Sequence, residues 1–354
     1  MFKEKYPKKI HVSFYPYTYV RVMAMKGKLY KRQDYNKLLK MQGNEIAKYL
    51  EEAEYKEEIN ALAKEYEGYA LVEQALYANF IRSIQKLQTI SSPEMKYLLH
   101  AYLKKYDVYN LKTIIRAKAA QQQKAETEKL VLPMGSMNKE KIMSLLEADS
   151  IATLLRKAGI REQEYKEALA YWEKEKSLLE IENMLDQKWY QEMQKFMTYL
   201  AGEHKLFKEI LQAEIDVMNL KLLLRLKKTG MEKKRMEQFF FKGGALLSKT
   251  KCNMLAEKDF ETIISALQNS TFKEIIEAHQ KELAQQDLRT FEKSIDVWLL
   301  KKATLLLHQF PLSVDTLLGY MVAKEIEMRN LRILVKGKQF GLEEKFIESQ
   351  LVMV

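Results

Sequence analysis

One phrase occurs three times in this 354-residue chain, and it constrains the fold more than any other feature. Residues 107 to 118 read DVYNLKTIIRAK, residues 216 to 227 read DVMNLKLLLRLK, and residues 327 to 338 read EMRNLRILVKGK. Anchored on Asn110, Asn219 and Asn330, the copies stand 109 and 111 residues apart. Each carries an acid three residues before the Asn (Asp107, Asp216, Glu327), Leu directly after it, and bases two, six and eight residues after it. Matches at that many positions with a nearly constant period mark an internal repeat of domain size, longer than the 20–50 residues of an ordinary solenoid unit.

A second anchor keeps the same step. The runs beginning at Glu73, Glu182 and Glu292 precede their Asn by 37, 37 and 38 residues. Further upstream, Asp34, Asn138 and Asp259 each open an apolar helical pattern just after a glycine-containing stretch at Gly27, Gly135 or Gly243-Gly244. Beyond the Asn, Gly230 and Gly341 match at eleven residues, while the first copy drifts there. The expected organisation is a leader at 1–26 followed by helical units at 27–134, 135–243 and 244–354. The first unit ends irregularly at 119–137, and 248–258 reads as an insertion.

Twelve glycines and five prolines leave too few turns for a sandwich, barrel or doubly wound sheet. Leu, Met, Ala, Lys, Glu and Gln dominate, all good helix formers, and the chain is 47% apolar and 30% charged. The expected class is all-α, with about four helices per unit. In the first unit these are Gln33–Leu50, Glu51–Tyr66, Leu71–Ile90 and one from about Glu94 to Lys118, with Ser92 as N-cap and Pro93 at the first helical position. In the second, Arg161–Leu200 reads as one long helix ending at Gly202. In the third, the run from Ser313 starts the last long helix.

At 100° per residue the acid and the Asn share a face with Tyr106 and Ile114, Ile215 and Leu223, or Ile326 and Leu334. A polar pair inside an apolar stripe must be hydrogen-bonded. These six residues are therefore expected to brace a neighbouring helix, with the Glu73, Glu182 and Glu292 helices as the candidate partners. The bases at the second and sixth positions project from the opposite side: Lys112 and Arg116, Lys221 and Arg225, Arg332 and Lys336. They form either a solvated helix face or a partner-binding surface in each unit.

Other classes lack their residues. The single Cys252 rules out an internal disulfide and a thiolate metal site, and the five histidines, His11, His100, His204, His279 and His308, show no ligand spacing. No phosphate-binding loop occurs, because Gly243-Gly244 and Gly337/Gly341 have the wrong spacing. No active site and no cofactor are expected. The amino end has no apolar core of a signal peptide, and no stretch approaches 18 uncharged apolar residues. The net charge of +11 favours an anionic partner, and the densest basic run is Lys221 to Arg235. The rival functions are a basic helical-repeat scaffold that binds nucleic acid, with steep salt dependence, a general helical adaptor, and, least supported, an all-helical enzyme.

The run from Tyr17 to Leu29, the stretches Asp34–Lys40 and Glu45–Leu50, and Tyr106–Arg116 together resemble the C subunit of the archaeal and bacterial A/V-type rotary ATPases, the counterpart of the d subunit of eukaryotic V-ATPases. The similarity extends from about Tyr17 to the carboxyl end. It implies a funnel-like, all-helical protein of three pseudo-threefold related units, without chemistry of its own. Such a protein is a peripheral rotor component at the cytoplasmic face of the membrane. It links the central stalk, made by the D and F subunits, to the membrane proteolipid c-ring, and transmits torque for coupled ion transport and ATP hydrolysis or synthesis. No nucleic acid is expected as partner.

Overall fold

Few breakers and strongly periodic apolar positions make nearly every element a helix. The computed structural model describes residues 6–7, 9–202, 205–309 and 312–353, with the side chains of 205 and 306–309 outside that description. Among the described residues there are two three-residue strands, β1 (Ile10–Val12) and β2 (Leu200–Gly202), and everything else that is regular is helical.

The helices in the first part of the chain are α1 (Pro16–Lys26), α2 (Arg32–Leu38), α3 (Gly43–Glu51), α4 (Lys56–Leu62), α5 (Gly68–Ile90), α6 (Pro93–Leu103), α7 (Lys105–Ala119) and α8 (Lys124–Glu128). Then come α9 (Lys139–Leu146), α10 (Ile151–Lys157), α11 (Glu162–Glu175), α12 (Leu179–Met197), α13 (Lys205–Lys228) and α14 (Lys233–Phe239). The remainder are α15 (Lys249–Leu255), α16 (Phe260–Leu267), α17 (Lys273–Ala278), α18 (Gln280–Ala284), α19 (Arg289–Gln309), α20 (Asp315–Gln339) and α21 (Glu344–Gln350).

Spatially the chain forms two units, one of residues 1–10, 114–120 and 144–303, the other of residues 11–113, 121–143 and 304–354. This division differs from that of the repeated phrase. The last repeat contributes its opening helices to one unit and its closing helices to the other. In the second of these units α20 packs along α5 and α1. Leu71, Val72, Ala75, Leu76, Phe80, Ile84 and Leu87 supply the buried stripe of α5 at helical spacing. In the first, Phe239, Phe240, Leu247, Phe272, Phe291 and Ile295 form a core with Leu220, Leu223 and Leu224 of α13. Each such side chain contributes about 1.5–3 kcal/mol by leaving water.

Several helix boundaries follow local chemistry. Ser92 caps α6 by accepting from the Met95 N–H at 3.4 Å. Asp259 caps α16 by accepting from Thr262 N–H at 2.7 Å, and Asn138 accepts from Lys141 N–H at 2.9 Å at the start of α9. Three expected spans are divided. Gln33–Leu50 is two helices, α2 and α3, and the helix from Glu94 to Lys118 is interrupted at Lys104. Arg161–Leu200 breaks after α11, where Lys176 takes a left-handed φ of 55° so that α12 can turn back onto α11. No Gly or Pro marks that break, so the pattern of apolar residues ran through it. The stretch 248–258 contains a full helix, α15, capped by Ser248 (3.3 Å to Lys251 N–H).

Candidate functional site

The three asparagines make the same pair of bonds. Asn110 donates to the Leu132 carbonyl at 2.7 Å and accepts from the Leu132 N–H at 2.7 Å. Asn219 donates to Phe241 O at 3.0 Å and accepts from its N–H at 2.8 Å, and Asn330 does the same with Val352 at 2.8 and 2.9 Å. Each partner lies 22 residues beyond its Asn. A carboxamide is the one side chain that offers a donor and an acceptor in the fork that a single peptide unit presents. All three are buried, at 0%, 0% and 1% exposure.

The acids three residues earlier hold the segment that opens the following repeat. Asp107 accepts from the N–H groups of Ser136 (2.8 Å) and Met137 (3.0 Å). Asp216 accepts from those of Leu246 (2.9 Å) and Leu247 (2.7 Å). Glu327 accepts from Tyr30 N–H at 2.7 Å, so the last repeat reaches the first. Gly135 and Gly244 allow the close approach, since a Cβ on either would collide with the Asp107 or Asp216 carboxylate. Burial pushes the Asp216 carboxyl up, against the pull of the backbone N–H groups that it accepts from. The pairing partners are thus loops and not the Glu73, Glu182 and Glu292 helices. By the same bonds α15 stands where α9 stands in the preceding repeat, directly after the held segment, so 248–258 is an ordinary part of the repeat.

Glu73, Glu182 and Glu292 pair instead with the bases. Arg116 and Glu182 form a bidentate pair with both N···O distances at 2.6 Å. Arg225 holds Glu292 in the same fork, with Nε at 2.5 Å. Lys336 lies 2.7 Å from Glu73, with Arg332 at 3.9 Å. The order is cyclic: the base of the first repeat meets the acid of the second, that of the second the acid of the third, and that of the third the acid of the first. Lys221 pairs with Asp296 at 2.5 Å, and Lys112 is half-buried. Arg116, Lys221, Arg225, Arg332 and Lys336, all read as partner-facing, are therefore engaged with acids of this chain. Arg116 and Arg225 still expose 59% and 60% of their side chains.

The basic run from Lys221 to Arg235 is likewise engaged within the chain, although much of it is exposed. Besides Lys221 and Arg225, Lys227 and Lys228 donate to the carbonyls of Ala256 and Gln286, Lys233 pairs with Glu257, and Arg235 pairs with Glu180 at 2.7 Å. Four of the seven cations of the run are paired with acids of this chain, which leaves less free charge for a phosphate backbone.

Around Glu327 the sequence signal was incomplete. Lys324 and Glu327 are a buried ion pair at 2.5 Å, exposed by 2% and 3%. Tyr55 donates to Glu327 at 2.7 Å, its ring stacks on that of Tyr30, and burial with the nearby carboxylate pushes its phenol well up. Tyr30, Tyr55 and Lys324 carry no motif, and only the interruption of an apolar stripe by Lys324 pointed to them. Among the described residues no group of His, Cys, Asp and Glu could hold a metal ion. His204 and the side chain of His308 lie outside the described residues. Burial pushes the Cys252 thiol up to about 12, which makes it a poor nucleophile. No described helix is long and apolar enough to cross a membrane.

Charged motifs that tie helix to helix in an all-helical chain define a structural class of protein. The family described as ATP synthase (C/AC39) subunit matches residues 18–350. The chain is 32% identical over 342 residues to the A-type ATP synthase C subunit of Methanococcoides burtonii, spanning 96% of this chain and 95% of that one. It is 33% identical over 338 residues to the same protein of Archaeoglobus fulgidus, with 96% of each chain covered. With that of Haloferax volcanii it shares 31% over 341 residues, spanning 96% of this chain and 97% of the other. The chain belongs to the ATP synthase (C/AC39) subunit family.

Proposed function

We propose that the chain is the non-catalytic rotor socket of an A/V-type ATPase. It seats the foot of the central stalk, made by the D and F subunits, on the membrane proteolipid c-ring at the cytoplasmic face, and passes torque between them for coupled ion transport and ATP hydrolysis or synthesis. In this reading the repeats 27–134, 135–243 and 244–354 are three pseudo-threefold related helical units of a funnel.

The observation that carries the reading is the cyclic set of braces. Torque transfer requires neighbouring units that do not slip under load. Here a buried Asn fork, a buried acid and a surface ion pair recur in each repeat, and the last repeat holds the first. Charge used in this way serves rigidity, in keeping with a part that transmits force. The exposed outer edges of Arg116 and Arg225 are the portions of the six-base set best placed to meet a stalk or ring as well.

A pull-down of the tagged chain from detergent-solubilised membranes of its own organism, followed by ATPase assay and mass spectrometry, tests the reading. Recovery of ATPase activity with catalytic, stalk and proteolipid subunits supports it. Recovery of nucleic acid without ATPase overturns it.

A further inference from the structure

The three braced junctions differ in one respect. At Asp107 the peptide held by the acid and the peptide held by Asn110 belong to one continuous stretch, Leu132 to Met137. That stretch buries Leu132, Met134 and Met137 beside the brace. At Asp216 the same is true of Phe241 to Leu247, which buries Phe241 and Leu247. At Glu327 the two held peptides come from opposite parts of the chain, Tyr30 on one side and Val352 on the other. Between them lies a cavity of about 390 Å³, lined by Leu29, Tyr30, Ile326, Glu327, Val352 and Met353. Its volume falls within the range of ligand sites.

The cavity lies in the gap between the two held peptides, which at the other two junctions one continuous stretch of chain spans. Its floor is braced and hydrogen-bonded at Glu327 and Asn330, and Leu29, Ala323, Ile326 and Val352 give its walls their apolar part. Lys31 and Arg32, both exposed, also line it, and neither makes an ion pair among the described residues.

We propose that this cavity is a binding site for a short extended peptide segment of a partner protein, apolar where it enters the cavity and acidic where it passes Lys31 and Arg32. The peptide spans the gap between Val352 and Tyr30 that residues 133–135 and 242–245 span at the other junctions. Its apolar side chain lies against Ile326 and Val352, and its carboxylates meet the two cations. The inference rests on the local junction geometry and stands apart from the rotor reading, so either can fail alone.

The test uses the full chain and two fluorescein-labelled peptides, one with the sequence of residues 131–137 and one with two aspartates added at its carboxyl end. Anisotropy titrations are run with the wild type, Met353→Trp, which fills the cavity, and Lys31→Glu/Arg32→Glu, which reverses its rim. Both variants change residues at the cavity edge, and circular dichroism melts check their fold. The expected result is saturable binding of the acidic peptide, about tenfold weaker after rim reversal and about tenfold weaker after filling. Three results overturn the proposal: no saturable binding up to about 1 mM peptide, equal binding by the filled variant, or binding of anionic phosphatidylglycerol vesicles, and not peptide, through Lys31 and Arg32.

Discussion

Asn330 and Val352 exchange two hydrogen bonds, the carboxamide of one clasping the peptide unit of the other at 2.8 and 2.9 Å. Asn110 with Leu132 and Asn219 with Phe241 are the same relationship in the two earlier copies. Each clasp ties a long helix to the segment that follows its short successor. Those successors, α8, α14 and α21, all begin fourteen residues past the Asn, at 124, 233 and 344. The motif reads as structural grammar because its side chains match a backbone geometry and not a substrate.

Removing the clasp leaves a buried N–H and a buried carbonyl without partners. Asn219→Leu is expected to destabilise by about 2–4 kcal/mol, because the Phe241 N–H and carbonyl and the Leu247 carbonyl each lose their amide partner, at roughly 1–3 kcal/mol per unsatisfied group with some apolar compensation. Asn219→Asp cannot donate to Phe241 O and is expected to be at least as harmful. Urea unfolding followed by circular dichroism gives both values, and a loss below about 1 kcal/mol for Asn219→Leu contradicts the role.

A left-handed residue follows each long helix eleven positions past its Asn. Gly230 and Gly341 hold φ of 69° and 67°, and Gln121 holds 53° in the first copy. An added Cβ meets nothing within 4 Å at either glycine, so the cost of a side chain there is backbone strain alone. Gln121→Gly is expected to stabilise by about 1 kcal/mol, and Gly230→Ala and Gly341→Ala to destabilise by roughly 1–2 kcal/mol each. Opposite signs in thermal melts are the signature.

The Arg225–Glu292 pair is bidentate but its arginine is 60% exposed, so its coupling is modest. A double-mutant cycle of Arg225→Ala and Glu292→Ala is expected to give about 0.5–1 kcal/mol, falling in 1 M salt. The cycle at Lys336 and Glu73, where a lysine cannot form the fork, is expected to give less. A larger value at the lysine pair contradicts this ordering.

Glu164 supplies an acid-side pH dependence. Burial raises its carboxyl, but the Lys188 hydrogen bond and the Arg161 N–H and side chain outweigh this and hold it at about 2, against an ordinary 4.5. A depressed folded-state value means that the stabilisation is complete above the unfolded value near 4.5 and is lost as pH falls toward 2. Glu164→Gln is therefore expected to flatten the acid limb of the stability curve between about pH 4.5 and 2, and an unchanged limb contradicts the assignment.

The helical class and the buried polar residues that brace helices to loops were legible because each left a period or a composition. Ser92 with Pro93 and Asp259 marked their helix starts through capping chemistry, which is local. The partners of the repeated residues were not legible. Asn110 finds Leu132 through loop geometry, and the acid at Glu73 finds a base more than 250 residues away, at Lys336. The break at Lys176 was hidden for a related reason: a non-glycine residue accepts left-handed strain there because α12 gains its packing on α11. The stretch 248–258 looked inserted because Asp259 imitates the opening signals at Asp34 and Asn138, while the hydrogen bonds of Asp216 lead into α15.

The central claim is mechanical coupling, and reconstitution tests it most directly. Membranes stripped of the ATPase head, the stalk and this chain are recombined with head and stalk, with or without the purified chain, and ATP-driven ion uptake is measured beside ATP hydrolysis. The account predicts hydrolysis in both mixtures but ion uptake only when the chain is present. Equal ion uptake without it contradicts the role of a socket between stalk and c-ring.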